Sequence, residues 1–200
     1  MNDNLQIERH PFAPFCPEGA RVLLMGTFPP QPHRWAMEFY YPNRTNDFWK
    51  VMGIIFYDDP KRFFTPEGKG FREADIKAFL TEKHIALHDT GAAVRRLRDN
   101  AADKYLEIVE KVDLGRLLAM MPDCRFIGTT GEKAAGVIAE LTGTPVPRIG
   151  EFVVSAEDAN PYRRELHITR LPSTSRAYPL SPVLKAEAYR RFLEEAGIVG

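Results

Sequence analysis

Apolar residues along the chain follow two patterns, short continuous runs and positions that recur at helical spacing. Runs at residues 21–26, 84–88 and 124–128 end at a glycine or, for 84–88, just before Asp89, as is typical of buried strands. Helical spacing begins near Asn46 and returns in four later segments, at about residues 73–82, 114–121, 134–141 and 182–196. This alternation predicts an α/β fold, a single domain over residues 1–200 with a central, mostly parallel sheet flanked by helices.

Three other segments lack this apolar period. Residues 58–72 are charged and contain prolines and glycines, so we expect an exposed loop there. Residues 91–111 carry mixed charges, and we interpret them as the solvated face of a helix in preference to a phosphate-binding patch. Residues 150–170 have the pattern of a β-hairpin that turns at residues 158–161.

Composition and charge narrow the class of protein. A chain of 200 residues with 44% hydrophobic content is long enough for one sizeable core, and no apolar run approaches the roughly 18 residues of a membrane span. Cys16 and Cys124 are isolated, which argues against a metal site and favours a reducing, cytoplasmic location. The 27 basic and 27 acidic residues balance, which weighs mildly against a strong nucleic-acid binder, although local basic patches remain compatible with one.

Two proline-bearing loops follow strands near opposite ends of the sequence, at residues 26–30 and 171–175. In an open α/β sheet, ligands bind at loops that follow the carboxyl ends of strands, so the two loops predict one cleft. The first has a glycine where a backbone approaches a ligand closely, but it lacks the Lys-Ser/Thr pair of a phosphate loop. On composition alone, an ordinary turn explains either loop at least as well.

The order of these segments resembles the uracil-DNA glycosylase superfamily. The resemblance rests on a strand followed by Gly-x-x-Pro at residues 26–29, Asn-x-Phe-Trp at 46–49 and Leu-Pro-Ser-Thr-Ser at 171–175. The hypoxanthine-DNA glycosylase branch shares the last two motifs, and the similarity spans residues 20–195. It implies an enzyme that flips a deaminated base, uracil or hypoxanthine, out of DNA and hydrolyses its N-glycosidic bond without a metal or other cofactor. We accordingly expect a monomer whose partner is DNA and not a membrane.

By position, the resemblance implies two catalytic residues. Asn46 would position the attacking water, because Phe28 stands where much of the superfamily has Asp or Asn for that purpose. Asn46 is also suited to cap the helix that follows it, and the two roles are compatible. Ser173 would hydrogen-bond the departing base or the substrate backbone.

The resemblance also implies residues that contact the base and the duplex. Those at the base are Gly26, Thr27, Phe28, Tyr40, Tyr41 and Asp89. The aromatic rings offer stacking surfaces, with core packing as the alternative, and Phe48 and Trp49 are expected in the core. Asp89 would accept a hydrogen bond from a base N–H, with a helix cap as its alternative and His88 as a neighbouring candidate. Those at the duplex are Thr174, Ser175, Arg176 and Tyr178.

Two other functions stay open at this point. A catalytically weak or inactive relative that binds nucleic acid or a nucleotide is favoured by Phe28, Ser173 and the zero net charge. Asn46, Asp89 and the intact Leu-Pro-Ser-Thr-Ser sequence favour the enzyme. An unrelated α/β hydrolase is disfavoured, because the sequence has no Gly-x-Ser-x-Gly.

Overall fold

The structure, a computed structural model, describes residues 6–97 and 105–200. Its strands are β1 (Ile7–Arg9), β2 (Val22–Gly26), β3 (Ile85–Asp89), β4 (Gly91–Arg96), β5 (Leu106–Lys111), β6 (Phe126–Thr130), β7 (Phe152–Ser155) and β8 (Leu166–Leu171). Its α-helices are α1 (Phe48–Tyr57), α2 (Glu73–Glu82), α3 (Leu114–Met120), α4 (Glu132–Thr142) and α5 (Pro182–Glu195). A 3-10 turn covers Pro32–Arg34.

A five-stranded sheet, in the order β3-β2-β6-β8-β7, forms the centre of the fold. The first four strands are parallel and only the edge strand β7 is antiparallel, which confirms the mostly parallel sheet. Gly26 lies opposite Asp89, and Thr130 lies opposite Leu171. The carboxyl ends of the four parallel strands therefore meet at one edge of the sheet.

The helices cover both faces of this sheet because its strands are apolar on both sides. Val22 and Leu24 pack in a core with residues of α1, α2 and α5, whereas Leu23 and Met25 pack with residues of α3 and α4. This alternation is the two-residue period of a strand. The expected apolar positions of α1 and α2 are all buried, namely Phe48, Val51, Met52, Ile55, Ile76, Phe79 and Leu80. Trp49 is also in this core, as expected.

The expectation of a helix face over residues 91–111 is wrong. Strands β4 and β5 occupy most of this segment, and residues 98–104 lie outside the described residues. With β1 they form a three-stranded antiparallel sheet in the order β1-β4-β5. The mixed charges pair across strands, with Arg95 bonded to Glu107 at 2.9 Å and Arg96 to Glu8 at 2.8 Å. Pairing with the distant N-terminal segment overrides the local charge pattern.

The predicted hairpin over residues 150–170 is confirmed, and the predicted exposed loop over residues 58–72 is confirmed only in part. Strands β7 and β8 form the expected hairpin, and the side chains of Asp113 and Ser181 cap α3 and α5. The segment 58–72 is a loop, but it buries Phe63 and Phe71 and is not exposed throughout. Among the helices of the described residues, none has the length and apolar character needed to cross a membrane.

Candidate functional site

The backbone of Gly26 lies at the centre of a polar cluster at the carboxyl edge of the sheet. A Cβ atom at this position would lie 2.6 Å from Asp89 Oδ1, 3.3 Å from the Tyr41 hydroxyl and 3.6 Å from Thr130 Oγ1. Such a Cβ would collide with the carboxylate of Asp89, so only glycine fits without displacement. Three side chains from separate segments thus converge on the end of β2.

The loop after β2 has a fixed backbone. Gly91 N–H donates to the Thr27 carbonyl at 2.9 Å, and Trp35 Nε1–H donates to the Pro30 carbonyl at 2.7 Å. Arg96 donates from Nη2 to the Pro29 carbonyl at 2.8 Å, and its guanidinium lies 5.7 Å from the centre of the Phe28 ring. Phe28 is half-buried and remains a candidate stacking surface, whereas Thr27 is buried.

A backbone hydrogen bond connects the Asn46 segment to the loop after β8. Asp47 N–H donates to the Thr174 carbonyl at 2.8 Å. The residues on either side of this bond include Asn46 and Ser173, the two catalytic candidates. Asn46 Oδ1 accepts the N–H of Phe48 at 2.9 Å, so it does support the start of α1. An amide oxygen has a second lone pair, so this contact leaves Asn46 able to accept a bond from water.

Two side chains of helix α5 hold the loop after β8 through hydrogen bonds. Lys185 Nζ, fully buried, donates to Asp47 Oδ2 at 2.9 Å and to the Ser175 carbonyl at 3.1 Å. Four residues later, the Tyr189 hydroxyl donates to the Pro172 carbonyl at 3.0 Å. Residues four apart lie on one helix face, so both side chains reach the loop together.

The Asp47 carboxylate accepts hydrogen bonds from two lysine ammonium groups. Lys50 Nζ lies 2.9 Å from Oδ1, opposite the Lys185 contact at Oδ2. Burial raises the pKa of the Asp47 carboxyl, but the hydrogen bonds from Lys185 and Lys50 outweigh it and leave the pKa below its ordinary value. Asp47 is therefore charged at neutral pH and organises the junction of the two loops.

The duplex-contacting candidates differ in exposure. Ser175 and Arg176 are exposed, and Tyr178 is half-buried, so these three are accessible to a large ligand. Thr174 is 2% exposed, unlike these three residues, and its contact with DNA stays a prediction. Its carbonyl accepts the bond from Asp47.

Ser173 borders an open cavity of about 400 Å³. The cavity is lined in part by Gly131 and Lys133 at the start of α4, by Arg170 and by Tyr178. Ser173 Oγ accepts the N–H of Ser175 at 3.2 Å, which orients the hydroxyl within its own loop. A group of ligand size therefore has access to Ser173 from this side.

Tyr40 is a core residue. The residue is 1% exposed, so its ring packs in the core, the alternative to stacking that the sequence left open, and its contact with a base stays a prediction. The hydroxyl lies 3.0 Å from the Ala13 carbonyl and 2.6 Å from His88 Nδ1. Because the hydroxyl has one proton, donation to Ala13 requires that His88 donate from Nδ1. Burial, and then the charge of Asp89, raise the pKa of the Tyr40 phenol.

His88 is the buried neighbour of Asp89 on β3. Burial and, secondarily, the nearby His10 lower the pKa of His88 from 6.5 to about 4, although Asp89 acts in the opposite direction. His88 is therefore neutral at pH 7, which agrees with its role as a single donor to Tyr40.

Tyr41 is placed differently from Tyr40. Its ring stacks on Phe48 with centroids 3.8 Å apart and planes 7° apart, and its hydroxyl lies 3.0 Å from Thr130 Oγ1. Phe48 thus covers one ring face. Since Tyr41 is only half-buried and its hydroxyl belongs to the polar cluster at Gly26, it remains a candidate for contact with a base.

The sequence interpretation missed three residues of the site, namely His10, Asp47 and Lys185. His10 Nε2 lies 2.9 Å from Asp89 Oδ2, and Lys185 meets Asp47 across a separation of 138 residues. A charged residue between apolar neighbours on one face of α5 was the only local signal for Lys185. Nothing in the sequence near His10 indicates Asp89 as its partner.

Within residues 6–97 and 105–200, no three His, Cys, Asp or Glu side chains form a group suited to a metal ion. Cys16 and Cys124 are free thiols, and burial raises the pKa of both, of Cys16 to about 11 and of Cys124 to about 12. The polar side chains of the site are carboxylate, amide, hydroxyl, imidazole, ammonium and guanidinium groups.

These features define an α/β fold with a cleft at the carboxyl edge of a mostly parallel sheet. The same fold is seen in the solution NMR structure of a candidate uracil DNA glycosylase from Methanosarcina acetivorans. The two chains align with a TM-score of 0.59 at 21% sequence identity, over 94% of this chain and 99% of that chain. No protein-family profile matches the sequence, and no curated protein does either. At this identity the likeness establishes the fold.

Proposed function

We propose that this protein is a monofunctional DNA N-glycosylase that removes uracil or hypoxanthine from DNA and leaves an abasic site. The observation that carries the proposal is the hydrogen bond from Asp47 N–H to the Thr174 carbonyl. It joins the Asn-x-Phe-Trp segment to the Leu-Pro-Ser-Thr-Ser loop, so that motifs more than a hundred residues apart in sequence are in direct contact. The fold shared with a candidate uracil DNA glycosylase supports the same conclusion.

In this proposal, Asn46 positions the water that attacks the sugar. The N–H of Phe48 fixes Asn46 Oδ1 from one side, and the second lone pair orients the water. A fixed acceptor contributes by holding the water in line with the scissile bond, which is a matter of orientation more than of acid–base strength. The sugar develops positive charge as the bond breaks, so a neutral amide and a neighbouring carboxylate are both compatible with the transition state.

Asp89 reads the flipped base. A carboxylate accepts hydrogen bonds and donates none, so it favours a base that presents a ring N–H. Uracil and hypoxanthine both have such an N–H, whereas cytosine and adenine have an unprotonated ring nitrogen at the equivalent position. This explains how one carboxylate serves both deaminated bases and rejects their parent bases.

Phe28 and Tyr41 contribute aromatic surface to the flipped base, and Ser173 donates a hydrogen bond to the departing base or to the substrate backbone. A stacked aromatic ring contributes about 1–3 kcal/mol per base. Ser175, Arg176 and Tyr178 contact the duplex. Arg176, which is exposed, is suited to a phosphate.

The test is cleavage of end-labelled oligonucleotides that contain one uracil or one hypoxanthine, followed by alkali to break abasic sites. Single strands and duplexes with each opposing base are compared for the wild type, Asn46→Ala and Asn43→Ala. Asn43 lies in the same loop and its Oδ1 accepts from Thr45, so it controls for a general effect on loop structure. We expect Asn46→Ala to lose cleavage by at least about a hundredfold and Asn43→Ala to lose little.

Other outcomes discriminate between the alternatives. If Asn46→Ala still cleaves, the protein is a glycosylase but Asn46 does not position the water. Absence of cleavage in a folded wild-type protein, together with binding of the same oligonucleotides, favours an inactive relative that binds nucleic acid through this cleft.

A further inference from the structure

The small antiparallel sheet brings a histidine to the candidate base-reading carboxylate. Strand β4 starts two residues after Asp89, and β1 pairs with it so that Arg9 lies opposite Ala93. The next residue, His10, donates its backbone N–H to the Ala92 carbonyl at 2.9 Å. The end of β1 is thus fixed beside the end of β3.

The contact between His10 and Asp89 is buried and well oriented. His10 Nε2 lies 2.9 Å from Asp89 Oδ2, and the two side chains are 6% and 8% exposed. The other carboxylate oxygen, Oδ1, faces the backbone of Gly26 in the polar cluster. The two oxygens therefore have different surroundings, one facing His10 and one facing the Gly26 backbone.

This contact is compatible with either charge state of His10. A neutral ring protonated on Nε2 donates to Asp89 and accepts the Phe12 N–H at Nδ1, at 3.2 Å. A protonated ring also donates from Nδ1, to the Phe12 carbonyl at 2.9 Å. The bond from Nε2 to Asp89 is common to both states, so the carboxylate stays in place.

Aromatic rings fix the plane of the imidazole. The His10 ring meets Phe28 edge-on at 5.2 Å and His88 at 4.9 Å between centroids. It also lies 5.9 Å from the Tyr40 ring with planes 26° apart. A ring enclosed in this way has little freedom to rotate away from Asp89, and it links Asp89 to Phe28, a candidate stacking residue.

We infer that His10 is a positioning residue that fixes the carboxylate of Asp89 for contact with the N–H edge of the flipped base. The inference rests on the proposed function of Asp89. It gives the β1-β4-β5 sheet a role in the site, because that sheet carries the histidine. An unanchored carboxylate would rotate and lose the orientation on which selectivity depends.

A double-mutant cycle tests this inference through kcat/KM on a uracil duplex and on a hypoxanthine duplex. His10→Phe keeps an aromatic ring and removes the donor, and His10→Gln restores an N–H at similar reach. We expect His10→Phe to lower kcat/KM roughly tenfold, as for loss of a hydrogen bond to a charged group, and His10→Gln to restore most of it. In the Asp89→Ala background, which lacks any acceptor for the His10 N–H, the same His10→Phe change should cost less than about twofold.

An equal loss from His10→Phe in both backgrounds would overturn the inference, since His10 would then act on the fold and not through Asp89. Thermal unfolding confirms that each variant is folded. If His10→Phe does not fold, His10→Asn replaces it, because the shorter amide does not reach the carboxylate.

A second measurement separates failure of this inference from failure of the proposed function. The Asp89 13Cγ resonance of the protein without DNA should move in His10→Phe and return toward its wild-type position in His10→Gln. If the wild type cleaves no substrate, the proposed function fails and this resonance still decides the His10 contact. An Asp89 resonance unaffected by His10→Phe would overturn the inference whatever the activity.

Discussion

Lys185 Nζ lies 2.9 Å from Asp47 Oδ2, and the lysine side chain is fully buried. The same ammonium group donates to the Ser175 carbonyl, so one buried charge joins α1, α5 and the loop after β8. A buried ion pair is weak evidence for net stability but is strongly destabilising when one partner is removed. This pair therefore supports the contact between the Asn46 segment and the Ser173 loop, beside the backbone bond from Asp47 to Thr174.

Lys185→Met should lower the free energy of unfolding by about 3 kcal/mol, because it leaves the Asp47 carboxylate with a single partner in a buried site. Lys50→Met is the matched control. Lys50 contacts the same carboxylate at the same 2.9 Å but is 33% exposed, so its loss should cost about 1 kcal/mol or less. Urea unfolding of both variants measures the difference. Equal losses would show that burial of Lys185 has no special energetic role.

The lowered pKa of Asp47 predicts a dependence of stability on acid pH. The ordinary pKa of the Asp47 carboxyl is 3.8 and its pKa in the folded protein is lower. Its contribution to the free energy of unfolding is therefore present above pH 4 and is lost as the pH falls through the folded pKa. Unfolding of the wild type and Asp47→Asn from pH 7 to pH 2 checks this. The difference between the two should shrink in acid, and a constant difference would contradict the assignment.

The lowered pKa of His88 predicts a second dependence of stability on pH, in a higher pH range. Burial and His10 lower its pKa from 6.5 to about 4, so the unfolded chain binds the proton first as the pH falls. Stability is fully present above pH 6.5, and about 2 kcal/mol should be lost between pH 7 and pH 5. In His88→Phe this part of the pH dependence should disappear. A wild type and variant with parallel profiles over this range would contradict the shift.

Gly26→Ala should impair activity more than folding. The new Cβ would lie 2.6 Å from Asp89 Oδ1, so the carboxylate must rotate away from its present position. We expect kcat/KM to fall by at least about tenfold, and stability to fall by about 1–2 kcal/mol. Gly136→Ala is the control, since nothing lies within 4 Å of a Cβ there. Within α4 that change should stabilise the protein by about 0.5–1 kcal/mol. Full activity in Gly26→Ala would argue against a role for the Asp89 carboxylate.

The elements that the sequence predicted are those whose signal is local. The burial of Ile76, Phe79 and Leu80 on α2 follows from helical spacing, and three of the four parallel strands, β2, β3 and β6, follow from short apolar runs. Strands β4 and β5 were missed because their charged residues are satisfied by distant strands, as Arg96 is by Glu8. The strands of the β1-β4-β5 sheet mix charged and apolar residues, so they contain no continuous apolar run that would predict a strand.

The sequence predicts the loops of the candidate site but not the residues that hold those loops in place. Asn46 and Ser173 belong to short motifs that can be read in sequence, and the structure brings their segments together through Asp47. His10 meets Asp89 across 79 residues, and Lys185 meets Asp47 across 138. Such pairs depend on tertiary packing, so no spacing along the chain indicates them. Tyr40 and Tyr41 show the same limit of sequence patterns. They are adjacent in sequence, yet Tyr40 is buried and Tyr41 is half-buried.

The measurement that tests the central claim most directly is identification of the released product. A duplex with one uracil is incubated with the wild type and with Asn46→Ala, and the solution is examined by mass spectrometry for free base while the DNA strand is examined for an abasic site. The account predicts free uracil in equal amount to abasic sites with the wild type, and neither with Asn46→Ala. Strand cleavage without free base, or free base in equal amount from Asn46→Ala, would contradict a glycosylase whose water is positioned by Asn46.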